Sequence, residues 1–277
     1  MHRNFLILLC LTMLIKLNNS EKPVVLLHGL ESHAENLEVL ADWIRKSFNR
    51  TVYNVELGDG DDYSMDTMIV KQIEEFKLTV ENISELSNGF DFIGISQGGL
   101  IGRGYVEYYN SNSSFTVNNL ITLVSPHGGV FHKYFGFINF YRTNMQEKLS
   151  FTNYWRDPTN LIKYKLYSSF LADANNEKII KNKLYKQNLE KLENFVMVYS
   201  PIDEVVKPPE SGIFGFYDSN LNTINLTETE LFKQDWLGLK NLRERNSLHM
   251  FSTNCTHVEH REPVCFPQLY PIFSQFL

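Results

Sequence analysis

The sequence predicts an α/β fold: a mostly parallel sheet with helices on both faces and an insertion between about residues 125 and 194. Three observations carry that expectation. Short apolar runs alternate with segments of helical periodicity along the chain. The runs are too short for helices and too continuously apolar for half-exposed strands, which suits strands covered on both faces. And the stretch FDFIGISQG, Phe90 to Gly98, ends one such run in a serine flanked by glycines.

Taken in order, VVLL (Val24 to Leu27) reads as a buried strand stopped by a turn at His28-Gly29. Leu37, Leu40, Ala41 and Ile44 recur at spacings of three and four, the mark of one helix face. TVYNVEL (Thr51 to Leu57) is strand-like, and Met68, Ile69, Ile73, Phe76, Val80 and Ile83 mark the buried face of a longer helix. FDFIGI (Phe90 to Ile95) is the next strand and GLIGRGYVEYY (Gly99 to Tyr109) the helix after it. LITLV (Leu120 to Val124), FVMVY (Phe195 to Tyr199) and SLHMFST (Ser247 to Thr253) complete the apolar set. The stretch from Ser125 to Asn194 is longer than a crossover helix needs and is expected to lie over one edge of the sheet.

The first twenty residues stand apart: Arg3, an apolar run from Phe5 to Ile15, then the polar Lys16 to Ser20. The run falls short of the ~20 residues that span a bilayer, so residues 1–20 are expected to be a secretory signal peptide, with one domain over 21–277 and no transmembrane segment. The mature protein is then lysosomal or secreted. Losing Arg3 and Lys16 from the 26 basic residues while all 32 acidic ones remain deepens the net charge of −6 by two. No basic block suggests a nucleic-acid partner. Five N-x-[ST] sequons, at Asn49, Asn82, Asn112, Asn225 and Asn254, offer glycosylation sites. Cys10 leaves with the signal; Cys255 and Cys265, an even pair in an oxidising compartment, most simply form one disulfide.

The serine can now be weighed. Ser96 sits where a strand gives way to a helix, with Gly94 and Gly98 two positions either side. That is the nucleophile elbow of an α/β-hydrolase, which needs an acid and a base further along in the order Ser, Asp or Glu, His. Asp203 follows the strand Phe195 to Tyr199, and His257 follows the last strand. In this reading His257 takes the proton of Ser96 and Asp203 orients the imidazole, while the backbone N–H groups of Leu30 and Gln97 form the oxyanion hole. Alternatives stay open. Ser96 as a plain turn residue, Glu204, Asp218 or Asp235 as the acid and His260 as the base all compete; His249, within a strand, and His28, in a turn, read as structural. Cys255, His257, His260 and Cys265 also have the residue types of a zinc site, at an unusual spacing; the expectation is no metal and no cofactor.

Several motifs together resemble a family. HGLESH, GISQGGLIGR, YWRDP (Tyr154 to Pro158), FLADANNE (Phe170 to Glu177), FGFY (Phe214 to Tyr217) and QDWLGL (Gln234 to Leu239) are similar, in this order, to the palmitoyl-protein thioesterases. The resemblance runs from about Pro23 to the C-terminus and is weak over Leu40 to Glu85 and Phe131 to Phe151. It implies a hydrolase that removes long fatty acyl groups from cysteine thioesters in S-acylated proteins or peptides and acts on fatty acyl-CoA. It places nucleophile, acid and base on Ser96, Asp203 and His257, and the oxyanion amides on Leu30 and Gln97. The chain has few cysteines, so family disulfides elsewhere do not carry over. Phe131, Tyr134, Phe135, Phe137, Phe140 and Tyr141 are expected either to line an acyl groove or to pack the insertion onto the sheet.

Overall fold

The computed structural model describes residues 21–111 and 114–277; the expected signal peptide and Asn112 lie outside the described residues. Six parallel strands form the main sheet: β1 (Val24–Leu27), β2 (Val52–Val55), β3 (Phe90–Ile95), β4 (Val117–Leu123), β5 (Asn194–Tyr199) and β8 (Leu248–Ser252), in the spatial order β2-β1-β3-β4-β5-β8. A separate antiparallel ribbon joins β6 (Phe216–Tyr217) to β7 (Thr223–Ile224). Because all neighbours in the main sheet are parallel, their C-terminal ends share one edge. Leu27 pairs with Gly94, Ile95 with Leu123, and Tyr199 with Ser252. The loops leaving that edge therefore carry Leu30, Ser96, Asp203 and His257 to one place.

Strand alternation feeds two cores. Val25 and Leu27 point into one with Phe92, Phe76 of α2 (Ile69–Glu81) and Tyr105 of α3 (Gln97–Tyr109). Val24 and Leu26 point into the other with Leu40 and Ile44 of α1 (Glu38–Phe48) and the C-terminal helix Phe266–Phe273, where Trp43 stacks on Phe266 at 4.4 Å between centroids. Each face of the sheet is thus covered, which is why its central strands are apolar over most of their length.

Three boundaries differ from the apolar pattern. β4 begins at Val117 rather than Leu120, because its polar start is satisfied: Asn119 N–H donates to Asp91 Oδ1 at 3.1 Å and its side chain to the Phe276 carbonyl at 3.0 Å. Helix α3 begins at Gln97, two residues earlier than its apolar face, since the elbow turns directly into the helix. The insertion after β4 does not shift the strand order, as β4 and β5 are hydrogen-bonded neighbours. Its first part, through Trp155, roofs the C-terminal edge, and its second part brings the helix Lys183–Leu189 against α3. A second excursion, between β5 and β8, carries the β6–β7 ribbon, two short α-helices and two 3-10 turns.

Candidate active site

The backbone at Ser96 is held in an unusual state, φ 54° and ψ −125°, between β3 and α3. Such a conformation is costly for a residue with a side chain and persists only when its surroundings enforce it. Here they do. A Cβ on Gly94 would stand 2.5 Å from the Gly99 nitrogen, and one on Gly98 would stand 2.4 Å from the His28 carbonyl oxygen. Both obstacles are backbone, so the elbow requires both glycines. Gly29 passes just as close, its Cβ position 2.9 Å from Ser96 Cβ, and this sets the next residue, Leu30, beside the serine.

Asp203 is buried in the turn after β5 and its carboxylate gathers three donors. Oδ1 accepts from the Val205 and Val206 N–H groups at 2.8 and 2.9 Å, and Oδ2 meets His257 Nδ1 at 2.8 Å. Burial pushes this carboxyl up, but the His257 hydrogen bond and charge and the two amides outweigh it, holding Asp203 below the usual carboxylate range. With Nδ1 engaged, Nε2 is the ring nitrogen left for the cavity that His257 and Ser96 both line. The Ser96 and His257 side chains are brought to one cavity without a direct hydrogen bond between them, a contact that in free enzymes often tightens only with substrate. The Cys255–Cys265 disulfide closes the loop that carries His257 and ties it to the last helix.

The other candidates are occupied elsewhere. Glu204 accepts from the His257 backbone N–H at 3.2 Å rather than from its ring. Asp218 organises its own turn through Asn220 and Asn222, and Asp235 pairs with Lys186 at 2.6 Å. His260 is buried against Thr253 Oγ1 and the Thr256 carbonyl, His249 bonds Asn194, and His28 lies 2.6 Å from Glu56. The sulfurs of Cys255 and Cys265 are bonded to each other.

As the first residue of α3, Gln97 has no carbonyl within its own helix for its N–H. Its side chain does more than the sequence reading assigned to it. Nε2 donates to the Ser64 carbonyl at 2.7 Å and to Gln72 Oε1 at 3.2 Å, while Oε1 accepts from Ser150 Oγ at 2.9 Å and Tyr154 OH at 3.0 Å. Four bonds thus fasten the elbow to α2's side of the core and to the insertion that roofs it. In the sequence the one signal for it is a glutamine beside Ser96.

The cavity beneath that roof holds about 640 Å³ and is mostly apolar, with Leu30, Ile95, Val130, Phe140 and Trp155 among its walls. Of the six aromatics proposed for a groove, Phe135 and Phe140 line it. Phe131 packs on Trp155 and Tyr141 OH bonds the Trp155 carbonyl, whereas Tyr134 and Phe137 are exposed.

A serine raised on a strained turn at the C-terminal edge of a parallel sheet defines an α/β-hydrolase. Solved structures agree on the fold: a Paleococcus ferrophilus monoacylglycerol lipase superposes with a TM-score of 0.56 at 14% identity over 92% of this chain and 95% of its own. Aspergillus fumigatus lipase B gives 0.53 at 12% identity, covering 88% of this chain and 50% of that one. Sequence comparison then fixes the family. The family model described as palmitoyl protein thioesterase matches residues 23–257, and the chain belongs to that family. It is 40% identical to palmitoyl-protein thioesterase 3 of Dictyostelium discoideum, over 94% of each chain. It is 32% identical to lysosomal thioesterase PPT2-B of Xenopus laevis, over 90% of this chain and 91% of the other.

Proposed function

We propose that this enzyme hydrolyses long-chain fatty acyl thioesters, those of S-acylated proteins or peptides and of acyl-CoA, through Ser96, His257 and Asp203. The observation that carries the reading is the Asp203–His257 hydrogen bond, 2.8 Å long, at an apolar cavity that also contains the elbow serine. With the acyl chain in the cavity, Ser96 Oγ attacks the carbonyl carbon while His257 Nε2 takes its proton. The N–H groups of Leu30 and Gln97 hold the oxyanion. The carbon–sulfur bond then breaks, the thiolate leaves with the proton from the imidazolium, and water attacks the acyl-enzyme with His257 again as base. A fatty acid departs and Ser96 is restored. Since a thiol ionises near pH 8.5, the leaving group asks little of the general acid, so positioning and oxyanion binding carry most of the work. No step calls for a cofactor.

The same reading makes the protein a glycosylated resident of the lysosome or a secreted form, after removal of residues 1–20. The four described sequon asparagines, Asn49, Asn82, Asn225 and Asn254, are all exposed, and among the described residues no helix is long and apolar enough to cross a membrane. The decisive assay compares a palmitoyl thioester with its matched oxygen ester, using the purified protein beside Ser96→Ala. Thioester turnover that vanishes in the variant is expected. A folded wild-type protein that prefers the oxygen ester, or turns over neither, would overturn the proposal.

A further inference from the structure

The second half of the insertion presents a surface that catalysis does not use. In the helix Leu161–Tyr167, Tyr164 is buried on the Arg156 guanidinium and donates to Glu177 Oε2 at 2.6 Å. That anchor turns Ile162, Leu166 and Tyr167 outward, at 75, 60 and 57% exposure. It also fixes the segment after Glu177 beside the helix, where Ile179 and Ile180 stand 95 and 88% exposed. Lysines interleave them: Lys163 and Lys165 on the helix, Lys178 and Lys181 on the loop, and Lys183 at the start of the next helix. The Tyr164–Glu177 bond holds the two segments side by side, so they form one face.

Charge on this face is one-sided. Between Pro158 and Lys183 there are five lysines and two acids, in a chain whose 32 acidic residues outnumber its 26 basic ones; Lys186, further on, is paired with Asp235 at 2.6 Å and stands apart from this set. Both acids are engaged: Glu177 is buried in a two-point pair with Arg156, at 2.7 and 2.9 Å, and Asp173 accepts from Tyr185 OH at 2.7 Å. No sequon falls in this stretch, so no attached glycan originates there.

We propose that this face docks the enzyme onto the surface of an anionic lipid bilayer. Bulky apolar side chains alternating with lysines are what an interface of acyl chains beneath negative headgroups accommodates: the apolar groups enter the boundary, and lysine stems lie along it with the ammonium groups at the phosphates. A second copy of the chain is a poor occupant, since a twofold contact would set lysines against lysines. Docking would hold the enzyme where S-acylated substrates keep their acyl chains. The binding itself is read without hydrolysis, so it is tested apart from the thioesterase reading.

The test is vesicle flotation of the mature chain with phosphatidylcholine vesicles, with and without added phosphatidylglycerol. The wild type is expected to float with the anionic vesicles only. Ile179→Asp/Ile180→Asp and Lys163→Glu/Lys165→Glu should each weaken that binding about tenfold or more, while turnover of a soluble thioester, which reports the fold, stays unchanged. Phe137→Asp, in the other half of the insertion, should leave flotation as it was. Wild-type protein that ignores anionic vesicles, equal flotation with neutral ones, or variants that bind undiminished would overturn the proposal. So would a self-association by sedimentation that the same substitutions abolish, because a partner copy would then own the face.

Discussion

Asp203→Asn offers a sharp test of the triad because it changes almost nothing but a proton. The amide is isosteric with the carboxylate, and its oxygen can still accept from the Val205 and Val206 N–H groups that Oδ1 now holds at 2.8 and 2.9 Å. Its NH2 group takes the place of Oδ2 and points N–H at His257 Nδ1, 2.8 Å away. The imidazole must then accept there and carry its proton on Nε2, leaving no lone pair for the Ser96 hydroxyl. The cost of that wrong tautomer is about 10⁴-fold in kcat, or about 5 kcal/mol of barrier. KM should move less than about threefold, since Asp203 does not line the acyl cavity. Steady-state kinetics on a palmitoyl thioester read both numbers. A variant that keeps more than a tenth of wild-type kcat would refute the assignment of Asp203 and the tautomer argument with it. The stability of the pair carries a second signature. A carboxyl whose folded pKa is depressed contributes stability above its unfolded pKa, near 4, and loses it as pH falls through the folded one. Wild type should therefore out-stabilise the variant at neutral pH, with the two converging under stronger acid.

Two further outcomes follow from buried polar groups. Gln97→Leu strips Gln72 Oε1, Ser150 Oγ and Tyr154 OH of their partner at once, while the Ser64 carbonyl keeps Gln72 Nε2 at 3.0 Å; the loss should be about 3 kcal/mol or more, roughly 6–12 °C in Tm, and a melt shifted by less than about 2 °C would count against the hub. Glu107 is wholly buried, with Arg103 3.2 Å away but Oε2 unpartnered, and burial pushes its carboxyl up to about 8 against the pull of Arg103. A raised folded pKa favours the neutral acid, so its contribution is full below the unfolded value and lost as pH rises through about 8. Glu107→Gln should accordingly gain stability relative to wild type between pH ~5 and ~9 in denaturant titrations, and a relative loss over that range would reverse the sign of the argument.

Much of this was legible in the sequence, for local reasons. VVLL and FDFIGI announce buried strands because both faces of the sheet are covered, and Gly94 and Gly98 announce the elbow because a Cβ at either position would strike backbone. Asp203 and His257 were findable because each follows a strand that ends on the same edge. What escaped was long-range and polar. The hub at Gln97 joins residues 64, 72, 150 and 154, which no spacing rule connects. The polar opening of β4 is masked by Asn118 and Asn119, whose strand state rests on distant partners, Glu193 for Asn118 and Asp91 and Phe276 for Asn119. Aromaticity alone did not separate Phe140, which faces the cavity, from Phe137, which faces water, since only the fold of the insertion decides between them.

The edge where β1, β3, β5 and β8 end gathers Leu30, Ser96, Asp203 and His257 from points spread across nearly the whole chain. A ribosome delivers them in that order. Ser96 emerges long before His257, and the two share one edge only once β8, the last strand, pairs with β5. A product that ends before β8 carries Ser96 without His257. On the triad reading proposed above, the topology makes hydrolytic competence a late event in the life of the chain.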